Sequence, residues 1–209
     1  MKILVRGTNW IGDAVMTIPA MRELRRVFPL AHIALHTRSW SEGIFRDADF
    51  IDEIITFDRD SGLDGFLGEA KRIGRRRFDL CIIFPNSYRS AAVTKMSHIK
   101  RRFGYAKEGR RFLLTDAIPI PKWKNERHEV YYYLNLVSEV EHRFLGSRTV
   151  EQNYPETELS ISDERRLEAR RIFGDIGCDL SKPQIGLGPG STNSNAKRWP
   201  AENFAALSD

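Results

Sequence analysis

Alternation is what most constrains this chain. Short apolar runs of strand length are followed, repeatedly, by segments whose apolar residues recur at helical spacing. Ile3 to Val5 is the first such run, and Val15, Ile18, Met21, Leu24 and Phe28 then mark one face of a helix that Pro29 ends. His32 to His36 supplies a second strand. The series continues with a strand over 51–57, an amphipathic helix over 63–73, a buried strand over 80–84 and a helix over 90–99. Strands joined by helices in this way lie parallel, and a parallel sheet has to be covered on both faces. The predicted fold class is α/β: a Rossmann-like parallel sheet covered by helices.

Beyond Arg102 the pattern loosens into a turn at Gly104 and a short strand over 117–120 that Pro119 and Pro121 interrupt. Helical periodicity resumes over 128–144. Residues 146–162 have no period and read as a linker. Ser162 is then an N-cap, with Asp163 and Glu164 in the first turn and Gly177 as the stop. A strand over 184–187, a Gly/Pro/Ser loop and a helix from Pro200 open a second α/β lobe. One strand and one incipient helix cannot bury a sheet, so the expectation is that the chain is cut short inside that lobe. The expected domains are 1–155 and 156–209.

The 209 residues are 41% hydrophobic and 29% charged, which supports a packed core and excludes global disorder. No apolar run approaches the ~20 residues that span a bilayer, and the N-terminus lacks a signal peptide's apolar stretch and cleavage site. A cytoplasmic protein is expected. Lys plus Arg number 33 against 28 Asp plus Glu, a net charge of +5 that suits an anionic partner: nucleic acid, anionic lipid or a phosphorylated small molecule. The basic clusters Lys71 to Arg77 and Lys100 to Arg102 are either solvated helix ends or contacts for lipid headgroups. Aromatic residues do not interleave with them, so nucleic-acid binding is disfavoured. Cys81 and Cys178 have no Cys or His neighbours at metal-ligand spacing and read as reduced thiols, with neither zinc nor a disulfide expected.

Three segments carry chemistry. Gly7-Thr8-Asn9-Trp10-Ile11-Gly12-Asp13 closes the first strand and opens the first helix, at the sheet edge where open α/β folds bind ligands. Gly12 allows a tight turn and close approach of a ligand, and Asp13 either caps the helix or presents a carboxylate. The spacing is not a dinucleotide fingerprint, and an acid at that place disfavours phosphate. Phe84-Pro85-Asn86-Ser87-Tyr88-Arg89 ends a buried strand. Asn86, Ser87 and Arg89 would line the same edge, although Asn and Ser are equally good turn and N-cap residues. Near the end, Gly186-Leu187-Gly188-Pro189-Gly190-Ser191-Thr192 precedes Lys197, a cradle for phosphate or an ordinary glycine-rich turn; Walker spacing is absent. Arg110 and Arg111 form a basic pair for which a solvated face is the plainer reading. His128 and Tyr132, one helical turn apart, either face the cleft or pack, and packing is the plainer reading. With no Gly-x-Ser-x-Gly elbow, a Ser-His-Asp hydrolase is disfavoured.

Taken together, MKILVRGTNWIGDAVM, FPNSYRSA, the Gly104 to Asp116 segment and GPGSTNSNAKRWP resemble the lipopolysaccharide heptosyltransferases of glycosyltransferase family 9. The resemblance implies two Rossmann-like lobes facing across a cleft, the GT-B architecture, with a lipid-linked acceptor on the first lobe and an ADP-sugar on the second. It implies that Asp13 is the general base of an inverting transfer from ADP-heptose. Lys197, with Gly190, Ser191 and Thr192, would hold the donor diphosphate. Gly12, Asn86, Ser87, Arg89, Arg110 and Arg111 become candidate contacts for an anionic lipid A-core acceptor. Neither metal nor cofactor is expected, and the protein would sit peripherally on the inner face of the bacterial inner membrane. Contacts to adenine, ribose and heptose would lie beyond Asp209. The competing readings are a family member using another nucleotide sugar or acceptor, and a non-catalytic acceptor-binding module. A carboxylate at a helix N-terminus is held in its charged form, which predicts a weak base and proton transfer concerted with bond formation.

Overall fold

The computed structural model describes residues 1–58, 62–190 and 195–208. The chain forms two compact units, Met1–Ser160 and Ile161–Asp209, so residues 156–160, expected with the second domain, belong to the first.

The alternation in the first unit becomes one six-stranded sheet. Its strands are β1 (Lys2–Arg6), β2 (His32–Arg38), β3 (Glu53–Phe57), β4 (Leu80–Ile83), β5 (Arg101–Tyr105) and β6 (Asp116–Ile118). All neighbours are parallel and their order across the sheet is β3-β2-β1-β4-β5-β6. The chain walks outward from β1 to β3, then returns to place β4 on the other side of β1. That reversal separates the loops leaving β1 and β4 and opens a crevice at their carboxyl ends.

Successive strand residues point to opposite faces, and each face has its own core. Ile3, Val5, Ile33, Leu35, Leu80 and Ile82 pack with Met21 and Leu24 of α2 (Ile18–Val27) and with Leu136, Val137 and Val140 of α6 (Glu129–Leu145). On the other face Leu4, Ala34, Cys81 and Ile83 meet Ala70 and Ile73 of α4 (Gly62–Gly74) and Ala91 and Val93 of α5 (Tyr88–Met96). Each fully buried aliphatic side chain contributes about 1.5–3 kcal/mol. Burial pushes the Cys81 thiol up to about 12, an inert packing residue.

Several sequence expectations change. The helix expected to run unbroken to Phe28 is two, α1 (Ile11–Met16) and α2, because Thr17 turns its hydroxyl onto the Ala14 carbonyl at 2.7 Å and Pro19 lies in the first turn of α2. A helix absent from the expectation, α3 (Ser39–Phe45), directly follows β2. Gly104 is not a turn but sits inside β5, where an added Cβ would lie 3.3 Å from both Arg110 Nη2 and Leu114 Cδ2. The basic run at its start is largely used internally: Arg101 pairs with Asp116 at 2.8 Å and Arg102 donates to the Leu113 carbonyl at 2.9 Å. The start of the supposed linker is anchored on α6. Glu141, 2% exposed, accepts from Val150 N, Thr149 Oγ1 and Ser147 Oγ, and those donors hold its carboxyl down to about 2.

In the second unit α7 (Asp163–Asp175) starts at an Ser162 N-cap and stops before Gly177, whose φ of 77° is left-handed, as the sequence predicts. The helix from Pro200 is also present, as α8 (Ala201–Ser208). Residues 184–187 form no strand; among the described residues this unit holds no second strand with which a ladder could form. Among the described residues no helix is long and apolar enough to cross a membrane.

The polar side of the first unit depends on a buried cation. Arg6, 3% exposed at the end of β1, is paired with Glu69 of α4, itself 4% exposed, and donates to His36 Nδ1 at 2.7 Å. Burial lowers the Arg6 pKa while Glu69 opposes the fall. Burial and the surrounding Arg6, Arg72 and Arg38 push His36 down to about 2, so it is a neutral acceptor at physiological pH. Removing one partner of such a pair leaves an uncompensated charge in the interior. Glu69→Ala should therefore cost about 3–5 kcal/mol, read as a lower urea midpoint; a midpoint equal to that of the parent chain would contradict the pairing.

Candidate active site

The loops after β1 and β4 flank the crevice that the strand order creates, and they carry two of the three segments singled out from sequence. β1 ends at Arg6. Gly7 then donates to the His36 carbonyl at 2.9 Å, and a Cβ there would lie 3.1 Å from Thr37 Oγ1, so Gly7 is the residue this turn requires to be small. Gly12, to which that role was assigned, sits inside α1, where a Cβ would meet nothing within 4 Å. Its bare backbone leaves open space one residue from Asp13.

Asp13 does not cap its helix. The N-cap of α1 is Trp10, without a side-chain cap bond, and Asp13 occupies the third helical position, partly exposed. Its pKa is raised, first by desolvation and then by the like charge of Glu129 at the start of α6. This reverses the expectation drawn from the helix terminus: neighbouring groups make this carboxylate a stronger base rather than a weaker one. Asp13 in turn raises the Tyr133 phenol, after the larger effect of burial.

Across the crevice the segment 85–87 is clamped by one buried guanidinium. Arg110, 0% exposed, lies in the 3-10 turn Arg110–Leu113. Its Nε donates to the Tyr105 carbonyl at 3.0 Å, Nη1 to the carbonyls of Pro85 and, at 3.3 Å, Ser87, and Nη2 to Asn86 Oδ1 at 3.2 Å. Burial brings its pKa down to about 10, leaving it cationic near neutrality. It is therefore neither the solvated residue of the plainer reading nor a side chain available to an acceptor; it holds the loop that is. Tyr132 stacks on Tyr105 with ring centroids 3.9 Å apart and donates to Asn86 Oδ1 at 3.3 Å. Two donors thus fix the Asn86 carbonyl oxygen and leave the amide NH2 as its remaining recognition group.

The other candidates divide. Ser87 is the N-cap of α5, accepting from Ser90 N at 3.3 Å, the local role that sequence offered as the alternative. Arg89 pairs with Glu69 at 3.3 Å and keeps 29% of its side chain exposed at the rim, so the buried Arg6–Glu69 pair also positions it. Arg111 is exposed. His128 is an exposed N-cap of α6, its Nδ1 accepting from Val130 N at 3.3 Å, whereas Tyr132 is buried as expected.

Glu129, Lys124 and Tyr132 belong to this neighbourhood and escaped the sequence reading as site residues. Lys124 pairs with Glu129 and lies 4.6 Å from the Tyr132 ring centroid. The sequence offered two signals, that α6 begins with an acid and that Tyr132 lies one turn after His128.

The third segment lies in the second unit. Gly190 is exposed, and so is Lys197, which ends the 3-10 turn Asn195–Lys197; Ser191 and Thr192 lie outside the described residues.

Residues 68–209 match the profile of glycosyltransferase family 9 (heptosyltransferase). The chain is 29% identical over 215 residues to lipopolysaccharide heptosyltransferase 2 of Salmonella typhimurium, a match covering 99% of this chain and 59% of that protein. It is 28% identical to the protein of that name from Escherichia coli. It thus spans 59% of the length of these relatives. The solved structure of E. coli ADP-heptose lps heptosyltransferase II superposes with a TM-score of 0.79 at 26% identity, covering 99% of this chain and 60% of that one. A family 9 structure from Veillonella parvula superposes equally well, at 23% identity, and supports the fold.

Two outcomes follow from the geometry. In a carboxyl-carbon NMR titration, Glu129→Gln should move the Asp13 midpoint to lower pH, because the like charge that raised it is gone; an unmoved midpoint would show the carboxylates to be uncoupled. Arg110→Met should destabilise the first unit by about 3 kcal/mol, since it strands several buried carbonyls, measurable by thermal melting; an unchanged melting temperature would contradict the clamp.

Proposed function

This chain belongs to glycosyltransferase family 9, and on that premise we propose that it acts as an inverting heptosyltransferase, moving heptose from ADP-heptose to a heptosylated lipopolysaccharide inner core. The observation that carries this reading is the placement of Asp13. Its carboxylate is partly exposed, raised in pKa and carried on the first turn of the helix that follows β1, at the carboxyl edge of the sheet beside the β1–β4 reversal. Asp13 accepts the proton of the acceptor hydroxyl as that oxygen bonds to the anomeric carbon. The bond from that carbon to the donor phosphate breaks on the opposite side, its electron pair leaving with ADP, so configuration inverts. A sugar hydroxyl is a far weaker acid than a carboxylic acid, even one with a raised pKa, so proton transfer accompanies bond formation.

The first unit receives the acceptor. Gly12 leaves room beside the base, Asn86 offers its amide, and Arg89 and Arg111 offer charge to the acceptor's anionic groups. Lys197 and the glycine-rich segment with Gly190, Ser191 and Thr192 neutralise the departing diphosphate in place of a metal ion. This division of labour fits a cytoplasmic enzyme that meets a lipid-borne substrate at a membrane surface.

The test is transfer of labelled heptose from ADP-heptose to a heptosylated inner-core acceptor. Asp13→Asn should lower turnover by about two to four orders of magnitude with the fold intact by circular dichroism. Undiminished turnover would remove Asp13 as the base.

A further inference from the structure

Helix α5 carries large apolar side chains on its outward side as well as apolar residues in the core. Ser90, Ala91, Val93 and Thr94 face the core, while Tyr88, Lys95 and Met96 share an outward stripe. Tyr88 is 49% exposed, Met96 48%, and Phe112 of the neighbouring 3-10 turn 64%. These residues form one patch: the Tyr88 and Phe112 rings are 6.0 Å apart, and Lys95 Nζ lies 5.7 Å from the Phe112 centroid. Surface helices ordinarily turn a polar face to water, and clustered exposed aromatics mark an interaction surface.

Charge says what kind. Over α5 and residues 106–113 the chain carries Arg89, Lys95, Lys107, Arg110 and Arg111 against a single acid, Glu108. Arg110 is buried, but Lys95, Lys107 and Arg111 are exposed, Lys95 against the Phe112 ring and Arg111 next to it in the chain. A second copy of the chain fits poorly, because a two-fold contact would press this cationic excess against itself. An anionic bilayer fits both features, with aromatic rings at headgroup depth and cations over the surface charge. The patch also begins at the Asn86–Ser87 loop, at the lip of the crevice.

We propose that Tyr88, Lys95, Met96, Arg111 and Phe112 form a docking surface for an anionic lipid bilayer, which brings the acceptor crevice to the membrane. Its purpose rests on the acceptor being lipid-borne; its existence does not. The surface differs from the basic cluster Lys71 to Arg77 that sequence offered for lipid contact. That cluster lies at the far end of α4, where Lys2 of β1 donates to the Arg76 carbonyl at 2.9 Å, at the amino edge of the sheet and away from the crevice.

The test is flotation of the whole chain with phosphatidylcholine vesicles, with and without phosphatidylglycerol and free of lipopolysaccharide. The chain should float with the anionic vesicles, less so at high salt. Phe112→Ser and the pair Lys95→Glu/Arg111→Glu should each weaken partitioning about tenfold, while Lys71→Glu/Arg75→Glu changes it less than about twofold; thermal melts confirm that each variant is folded. Absence of flotation, or flotation indifferent to Phe112→Ser, would overturn the proposal. So would a dimer that Phe112→Ser dissociates in the ultracentrifuge without any vesicle binding. No sugar transfer is measured, so the result stands or falls apart from the transferase reading.

Discussion

An all-parallel sheet cannot leave either face in water, and that requirement organises this molecule. The helices returning strands to their starting edge must cover both faces, and β1 and β4 each leave the carboxyl edge through a short loop that enters a helix. Reversal of direction between β1 and β4 then sends these two connections apart, one leading into α1 with Gly12 and Asp13, the other running through Asn86 and Ser87 into α5 with Arg89. The crevice is a consequence of strand order and exists before any side chain is chosen. Side chains decide what it does.

Two buried arginines convert this geometry into a rigid edge. Arg6 leaves the end of β1 for Glu69, which also holds Arg89 at the rim. Arg110 ties the segment after β4 to Tyr105 at the end of β5. Both cations are neutralised or hydrogen-bonded internally, so they fix the positions of groups that meet a ligand. Asp13 has no such clamp. Desolvation and the like charge of Glu129 raise its affinity for a proton.

Periodicity made most of the first unit legible: strands β1, β2, β3 and β4 and helices α4 and α6 follow from apolar spacing alone. What it missed was decided by tertiary contacts. The start of β5 looks like a basic run ending in a turn, because Arg101 and Arg102 find partners on β6 and the adjoining loop that spacing cannot display. The supposed linker is held by Glu141, an acid indistinguishable in sequence from others on α6. Asp13 and Asn86 were legible because Gly, Asn, Pro and Asp cluster after apolar runs. Glu129 was not, since its approach to Asp13 depends on how α6 crosses the sheet. Arg110 and Arg111 are adjacent and identical in type, yet one is buried and the other exposed, a division that packing makes and composition cannot.

The central claim is that the loops following β1 and β4 form one acceptor site. Backbone-amide NMR during titration with a soluble, phosphorylated, heptosylated inner-core oligosaccharide tests it most directly. The account predicts saturable shifts concentrated at Gly12, Asp13, Asn86 and Arg89, with β3 and the far end of α4 unmoved. Shifts centred on those distant elements, or on only one of the two loops, would contradict it.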